Sequence, residues 1–294
     1  MQDVARNVFG FMPYPVQIDL RFHGTYRNGR RFWTKVMHAQ FKGPPLREAI
    51  PNGMDGTMTG VAVSARLKDN YECYDGESSW RTLGAIGKVR NIVNLCGSIS
   101  HQRILDIGSG EGALLHRLSA LHFGEELCSL EISQSAIATI RQRSIARVQE
   151  CRLFDGYNIP YESRRFDLAI LSHVLEHTEY PRKLLYEASR VADYLFIEVP
   201  LEDTIRLEAD FVFNPVGHIN FYSWKTIRRL LQTCELRVID QVITNPSQAM
   251  YRHQSGRKGI LKHAIKEVLL RTAERLASSL FTYHCSLLCA RIAE

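Results

Sequence analysis

The sequence has no pair of cysteines in C-x-x-C spacing, and its seven cysteines (73, 96, 128, 151, 234, 285 and 289) are odd in number and scattered. That excludes a zinc knuckle and a disulfide framework and leaves them as reduced packing residues. No window approaches the roughly eighteen uninterrupted apolar residues that a membrane-spanning helix needs. The opening Met1-Gln2-Asp3-Val4-Ala5-Arg6 lacks the basic-then-apolar layout of a secretory signal, so a cytoplasmic location is expected. Internal repeats and low-complexity tracts are missing too, which rules out solenoids and disordered arrays. What remains is ordinary globular material: 294 residues, 45% apolar and 23% charged. That is enough for one large domain with additions.

The net charge of +6 is unevenly placed. Residues 1–70 hold ten Lys/Arg against five Asp/Glu, and residues 251–275 hold seven against two, so the middle of the chain is slightly acidic. Basic flanks of this kind serve solvated faces as readily as they serve an anionic substrate, a nucleic acid or a membrane surface. No aromatic-basic recognition motif or zinc module accompanies them, which argues against nucleic acid.

Residues 1–70 read as a separate N-terminal element. Val16 to Phe41 forms two β-rich runs around Arg27-Asn28-Gly29-Arg30, a type I′ hairpin signal. Residues 71–294 then read as the main domain. In Tyr71 to Leu95 the positions Trp80, Leu83, Ile86, Val89, Ile92 and Val93 recur at helical spacing, with Gly97 as a stop. Strand and helix patterns alternate from Arg103 to Thr244 and a last strand runs from His284 to Ile292, which predicts a doubly wound, mostly parallel seven-stranded α/β sheet. Between them lies a helical insertion, residues 245–283. Its Leu261, Ile265, Val268, Leu269, Leu276 and Leu280 form a stripe opposite Lys262, Lys266, Arg271 and Arg275. The stripe is expected to pack on the sheet domain, or on a second subunit in a homodimer, while the helix covers the substrate pocket. Peripheral contact of residues 260–280 with anionic lipid is the competing picture.

The segment Arg103-Ile-Leu-Asp-Ile-Gly-Ser-Gly-Glu-Gly112 runs an apolar strand into a loop with glycines at 108, 110 and 112. Glycine there lets backbone N–H groups approach a ligand, and the helix N-terminus that follows favours polar or anionic groups. The spacing is G-x-G-x-G rather than the G-x-G-x-x-G of dinucleotide sites. Glu131 ends the next strand, where a carboxylate accepts from ribose hydroxyls, and Asp155 ends the third, where it can accept from an adenine amino group.

With these carriers, and with Phe-Asp167-Leu-Ala-Ile-Leu-Ser-His173-Val-Leu-Glu176-His177 and Gly217-His218-Ile-Asn-Phe-Tyr, the chain resembles the class I S-adenosylmethionine-dependent methyltransferases of the type 11 and type 23 branch. The resemblance covers about residues 71–244 and the final strand. It implies the Rossmann-like methyltransferase fold and S-adenosylmethionine as cofactor. By that resemblance Asp106, Gly108, Ser109 and Gly110 hold the methionine end and Glu131 the ribose, with Ile132 also among the cofactor-binding residues. Asp155 with Gly156 then hold the adenine, and Ser172 and His173 border the methyl. The family's commoner loop is Gly-Cys-Gly-Thr-Gly, whereas this chain has Gly-Ser-Gly-Glu-Gly.

A hydroxyl acceptor needs a base, and histidine near pH 7 is the best-matched one. His173, His177 and His218 are the expected catalytic residues; the first two, four apart, share a face if their stretch is helical. No metal is assigned. The alternative is that His173, Glu176, His177 and His218 ligate a divalent cation, since a Glu-x-x-Glu-His…His set resembles that of the small-RNA terminal 2′-O-methyltransferases, with His173 here in place of the first Glu. The expected function is O-methylation of a small-molecule substrate: a sugar, a glycolipid precursor or a natural product. RNA or protein methylation and a catalytically silent cofactor-binding scaffold are the alternatives.

Overall fold

Apolar runs such as Leu168–Leu171 and Leu195–Ile197 suit strands buried on both faces, the condition of a parallel sheet covered by helices. The computed structural model describes residues 16–27, 30–41, 79–211 and 216–292. The first unit contains an antiparallel pair, β1 (Val16–Arg27) and β2 (Arg30–Phe41), in register from Val16 opposite Phe41 to Arg27 opposite Arg30. The two expected β-rich runs are therefore paired; the turn residues Asn28 and Gly29 and the boundary expected at residue 70 lie outside the described residues.

The second unit begins with α1 (Ser79–Cys96), followed by β3 (Arg103–Ile107), α2 (Ala113–Ala120), β4 (Glu126–Glu131), α3 (Gln134–Gln142) and β5 (Val148–Leu153). It continues with β6 (Phe166–Ser172), a single 3₁₀ turn at Leu175–His177, α4 (Pro181–Val191), β7 (Ala192–Pro200) and α5 (Trp224–Gln232). The chain closes with β8 (Leu236–Thr244), α6 (Gln248–Thr272), α7 (Glu274–Leu280) and β9 (His284–Arg291). Seven strands form one sheet in the order β5-β4-β3-β6-β7-β9-β8, parallel except that β9 runs antiparallel to both its neighbours. Strand order reverses between β3 and β6, the point at which an open α/β sheet leaves a crevice at its carboxyl edge.

Alternation along the strands separates two cores. Leu105, Ile107, Leu171, Ile197 and Val199 pack with Leu184, Leu185, Ile227 and Leu231 of α4 and α5. Ile104, Ile170, Phe196 and Leu288 face the other way, against Val89, Ile92 and Leu95 of α1 and Leu115, Leu118 and Ile140 of α2 and α3. Two residues further toward the carboxyl edge, this second face carries Asp106, Ser172, Glu198 and Ser286, all buried. Ser172 pairs with Glu198 across β6 and β7, and Glu198 with Ser286 across β7 and β9. The apolar columns thus end in one polar row beneath the crevice.

Two sequence expectations need correction. The inner face of α1 is Ala85, Val89, Asn91, Ile92 and Leu95; Trp80, Ile86 and Val93 of the expected stripe are exposed, and Tyr71 to Ser78 lie outside the described residues. The insertion does supply α6 and α7 between β8 and β9, but of its aliphatic stripe Leu269 packs against the core of the sheet while Leu261, Ile265, Val268 and Leu276 are exposed. Leu261 is 64% exposed and Val268 60%, whereas Met250, Tyr251, Gly259 and Lys266 face inward. The reason is a kink at Ser255-Gly256, after which the chain folds back on itself so closely that a Cβ on Gly259 would lie 2.0 Å from the Tyr251 carbonyl oxygen. That contact, rather than the stripe, sets the rotation of α6.

Phe196→Ala should therefore cost about 3–5 kcal/mol in urea denaturation, because it empties the centre of the α1-side core. Leu261→Ala should stay within about 0.5 kcal/mol. Comparable losses in the two variants would contradict this placement of α6.

Candidate active site

β3 hands Asp106 to the crevice and then turns through Gly108 and Gly110, both in the left-handed region at φ +73° and +54°. A Cβ at Gly108 would lie 2.7 Å from Val174 Cγ2, so the turn admits only glycine at its tightest point. Gly108 and Ser109 N–H both donate to the Leu130 carbonyl, which fastens the loop to the end of β4. Ser109 Oγ lies 2.5 Å from Ser129 Oγ. Glu111, which with Ser109 departs from the family's commoner loop, borders the same cleft and is clamped by Arg81 (3.0 Å) and Arg143 (3.3 Å).

Asp106 is buried, its Oδ2 accepts no hydrogen bond, and desolvation, partly opposed by Lys88, pushes its carboxyl up to about 7. At the end of β4 the Glu131 carboxylate accepts from Gly110 N–H (2.7 Å), Ile132 N–H (2.7 Å) and Ser133 N–H (3.1 Å). Burial still outweighs those donors and raises its pKa. Beyond β5, Asp155 is exposed and accepts from Tyr157 and Asn158 N–H (2.8 and 2.7 Å), which hold it below the usual carboxylate range. Ile132 lies beside Gly156, where a Cβ would meet Ile132 Cγ2 at 3.7 Å.

A cleft of ≈ 550 Å³ opens at the β3/β6 reversal, lined by Asp106, Gly108, Ser109, Gly110, Ser172, His173, His177 and His218. Most of the expected site residues therefore converge. Glu131, Ile132, Asp155 and Gly156 do not line this cleft and continue along the ends of β4 and β5.

The histidines are arranged differently from the helical-face expectation. His173 adopts φ +60° just after β6, and His177 ends the 3₁₀ turn, so no α-helix aligns them. His173 sits between two buried carboxylates, with Nδ1 2.9 Å from Glu176 Oε1 and Nε2 3.4 Å from Glu198 Oε1. Those charges outweigh its burial and raise its pKa. Its ring also meets His284 edge-on, centroids 4.6 Å apart, and burial pushes the His284 imidazole down to about 3. His177 instead faces His218, centroids 4.7 Å apart. His177 Nδ1 lies 3.1 Å from the Gly217 carbonyl and His218 Nδ1 2.6 Å from Glu202 Oε2. The His218 segment is strapped to the 3₁₀ turn, because Ile219 and Asn220 N–H both donate to the Glu176 carbonyl.

The sequence reading missed Lys88, Glu198, Glu202 and His284, all drawn to this edge by tertiary pairing. It also read Lys266 as outward-facing. Lys266 is 5% exposed, lines the cleft with Lys262, and its ammonium donates to Tyr251 OH (2.5 Å) and the Thr282 carbonyl (2.6 Å). Desolvation, with Lys262 and Arg206 nearby, pulls its pKa down to about 7.

A glycine cradle at a sheet reversal, with an unsatisfied buried carboxylate beside it, defines a cofactor-binding α/β protein. Over residues 82–241 the sequence matches the methyltransferase-domain family of type 23, and the chain belongs to that family. It is a methyltransferase whose methyl donor is S-adenosylmethionine. No curated protein sequence matches it. Among solved structures it is similar to the 4+2 cyclase SpnF, with TM-score 0.54 and 17% identity over 79% of this chain and 94% of that one. It is also similar to geranyl diphosphate C-methyltransferase from Streptomyces coelicolor A3(2), solved with Mg2+, geranyl diphosphate and S-adenosyl-L-homocysteine: TM-score 0.53, 12% identity, 75% and 88% covered. At these identities the likeness is one of fold. No described helix is long and apolar enough to cross a membrane.

The lysine yields a pH prediction. Folded Lys266 holds its proton more weakly than an unfolded lysine near 10.4, so its burial costs stability in full below about pH 7, and that cost fades as pH rises toward 10. Urea denaturation of Lys266→Met and the parent should show their stability difference shifting toward the parent between about pH 7 and 10. A pH-independent difference would mean that Lys266 titrates normally.

Proposed function

We propose that this chain transfers a methyl group to a hydroxyl oxygen of a small acceptor bearing an anionic group. The observation that carries the reading is a cleft lined by His177, His218 and Glu202, with the buried Glu176 behind the two imidazoles, and by Lys262 and Lys266 of α6. A cleft of ≈ 550 Å³ suits a small molecule rather than a nucleic acid surface.

The cofactor's fit is supported by two features: the orphaned Asp106 Oδ2, which suits an ammonium group, and the cradle that a Cβ at Gly108 would fill. Bound there, S-adenosylmethionine supplies an electrophilic methyl group. Asp106, Gly108, Ser109 and Gly110 would hold its amino-acid end. Glu131 has roughly four acceptor positions, three of them taken by backbone N–H groups, which leaves one side of the carboxylate for a ribose hydroxyl. Ile132, Asp155 and Gly156 would form the adenine end, and Ser172 borders the methyl. His173, fixed between Glu176 and Glu198, is better suited to shaping the floor than to accepting a proton. Proton removal from the acceptor falls to the His177–His218 side, where Glu202 orients the His218 ring. Placement in line with the methyl supplies the larger share of the rate, roughly 7–11 kcal/mol in favourable cases.

Incubating the protein and methyl-labelled cofactor with hydroxylated acceptors that do and do not carry a carboxylate or phosphate, and locating the label by mass spectrometry, tests the reading. Label on oxygen of the anionic acceptors is expected; label on nitrogen or carbon would refute it. Lys262→Met should raise the acceptor KM about tenfold while leaving S-adenosylhomocysteine affinity unchanged. Glu131→Ala should do the reverse, weakening cofactor-product binding by about 1.5–3 kcal/mol. Calorimetry that finds that affinity unchanged in Glu131→Ala would move the ribose elsewhere.

A further inference from the structure

Two groups of side chains at the crevice bring three potential ligand atoms within 4.8 Å of one another: His173, Glu198 and His284, and Glu176, His177 and His218. They differ in how their carboxylates are satisfied. Glu198 accepts from Asn91 (3.0 Å), Ser286 (2.6 Å) and Ser172 (3.3 Å), so its oxygens are already spoken for. Glu176 is fully buried, yet neither of its oxygens accepts a hydrogen bond of normal geometry; its one charged neighbour within ion-pair range, His173 Nδ1 at 2.9 Å, lies off the hydrogen-bond line. A buried carboxylate without donors costs several kcal/mol unless a charge compensates it.

The two histidines of the second group share a further property. A carbonyl and a carboxylate can only accept, so the short contacts to Gly217 O and Glu202 Oε2 place the ring hydrogen of both His177 and His218 on Nδ1. Nε2 is then the nitrogen that carries the lone pair in each ring. Locking Nδ1–H onto a carbonyl or carboxylate is the arrangement by which proteins fix the tautomer and aim of metal-binding histidines. We infer that Glu176, His177 and His218 form a two-histidine, one-carboxylate site for a divalent first-row transition cation, with Glu202 and the Gly217 carbonyl holding the two rings. Imidazole and carboxylate together favour such cations, and three protein ligands leave coordination positions for a guest. Because His177 and His218 line the cleft, those positions face the substrate space. An acceptor hydroxyl bound there loses its proton to solvent more readily, its oxygen forms the new C–O bond, and the methyl–sulfur bond breaks with the electron pair leaving on sulfur. The site rests on this geometry alone; the role of the cation rests on the methyl-transfer reading, and with the cation bound it takes over from the His177 and His218 imidazoles the task of drawing the proton off the acceptor.

The test uses tag-free, full-length protein stripped with chelator, titrated with Mn2+ and followed by electron paramagnetic resonance. Saturable uptake of one equivalent is expected, with pulsed spectra showing nitrogen coupling from imidazole. Glu202→Gln should weaken Mn2+ binding by about 10–100-fold and Glu176→Gln should abolish it, while S-adenosylhomocysteine affinity by calorimetry stays unchanged in both. If Glu176→Gln fails to fold, the nitrogen coupling in the parent protein decides. No saturable uptake, or uptake without nitrogen coupling, would overturn the site, and undiminished turnover after chelation would overturn the cation's role in the reaction. Failure of the methyl-transfer reading would register separately, as absent S-adenosylhomocysteine binding with the Mn2+ signal intact.

Discussion

A carboxylate fully shut off from water inside a sheet has to be met by donors, and Glu198 meets them from several elements at once. Ser172 comes from β6, Ser286 from β9 and Asn91 from α1, with the His173 imidazole within ion-pair range at 3.4 Å. Asn91 also reaches Thr244 at the end of β8, 3.0 Å away. Left unpaired, such a group would cost several kcal/mol, which is a large fraction of a domain's net stability. The first helix is therefore fixed not only by its apolar contacts but by the need to bring Asn91 over Glu198. That accounts for the rotation that leaves Trp80, Ile86 and Val93 toward solvent.

Once α1 is held this way, the electrostatics of the crevice follow. Lys88 precedes Asn91 by three residues and so lies on the same helical face. It lines the cleft, and its charge lowers the pKa of Asp106, Glu198 and His284 alike. The remainder of that end is carboxylate: Asp106, Glu176, Glu198 and Glu202. Burial raises Asp106 to about 7, whereas Glu176 and Glu198 stay ionised because imidazoles stand against them. Neighbouring carboxyls are thus driven apart in acidity by which partner each one found.

Local patterns were legible in the sequence because their causes are local. The glycine loop, the acidic strand ends at Glu131 and Asp155, the strand–helix alternation and the helical insertion can each be read from a dozen residues, and the structure contains each of them. What escaped is what depends on pairing between distant segments. His284 reaches the site because β9 inserts antiparallel between β7 and β8, setting it opposite Pro200 and Thr244. Lys266 was counted with the outward basic residues because helical periodicity alone cannot anticipate a kink at Ser255-Gly256. Glu198 left a visible trace, a lone charge inside the apolar run of β7, and a charged residue in a strand covered on both faces asks for an explanation. His173 and His177 were aligned on the premise of a helix, whereas the strand end passes through a left-handed residue into a single 3₁₀ turn.

The inverted rotation of α6 matters for chemistry as well as for packing. Had its aliphatic stripe faced the sheet, the cleft would have been closed by hydrocarbon. Instead Lys266 is drawn inward, its stem covered and its ammonium held between Tyr251 OH and the Thr282 carbonyl, with the Tyr283 ring 4.5 Å away. Lys262, one turn earlier, lines the same cleft. Desolvation destabilises the charged form of Lys266, so the group gains most from a partner that brings negative charge with it. The cleft is accordingly polarised, with carboxylates and imidazoles along the sheet edge and lysines on the helix above. On the proposed reading, an acceptor's anionic end would turn toward Lys262 and Lys266 and its hydroxyl toward His177 and His218.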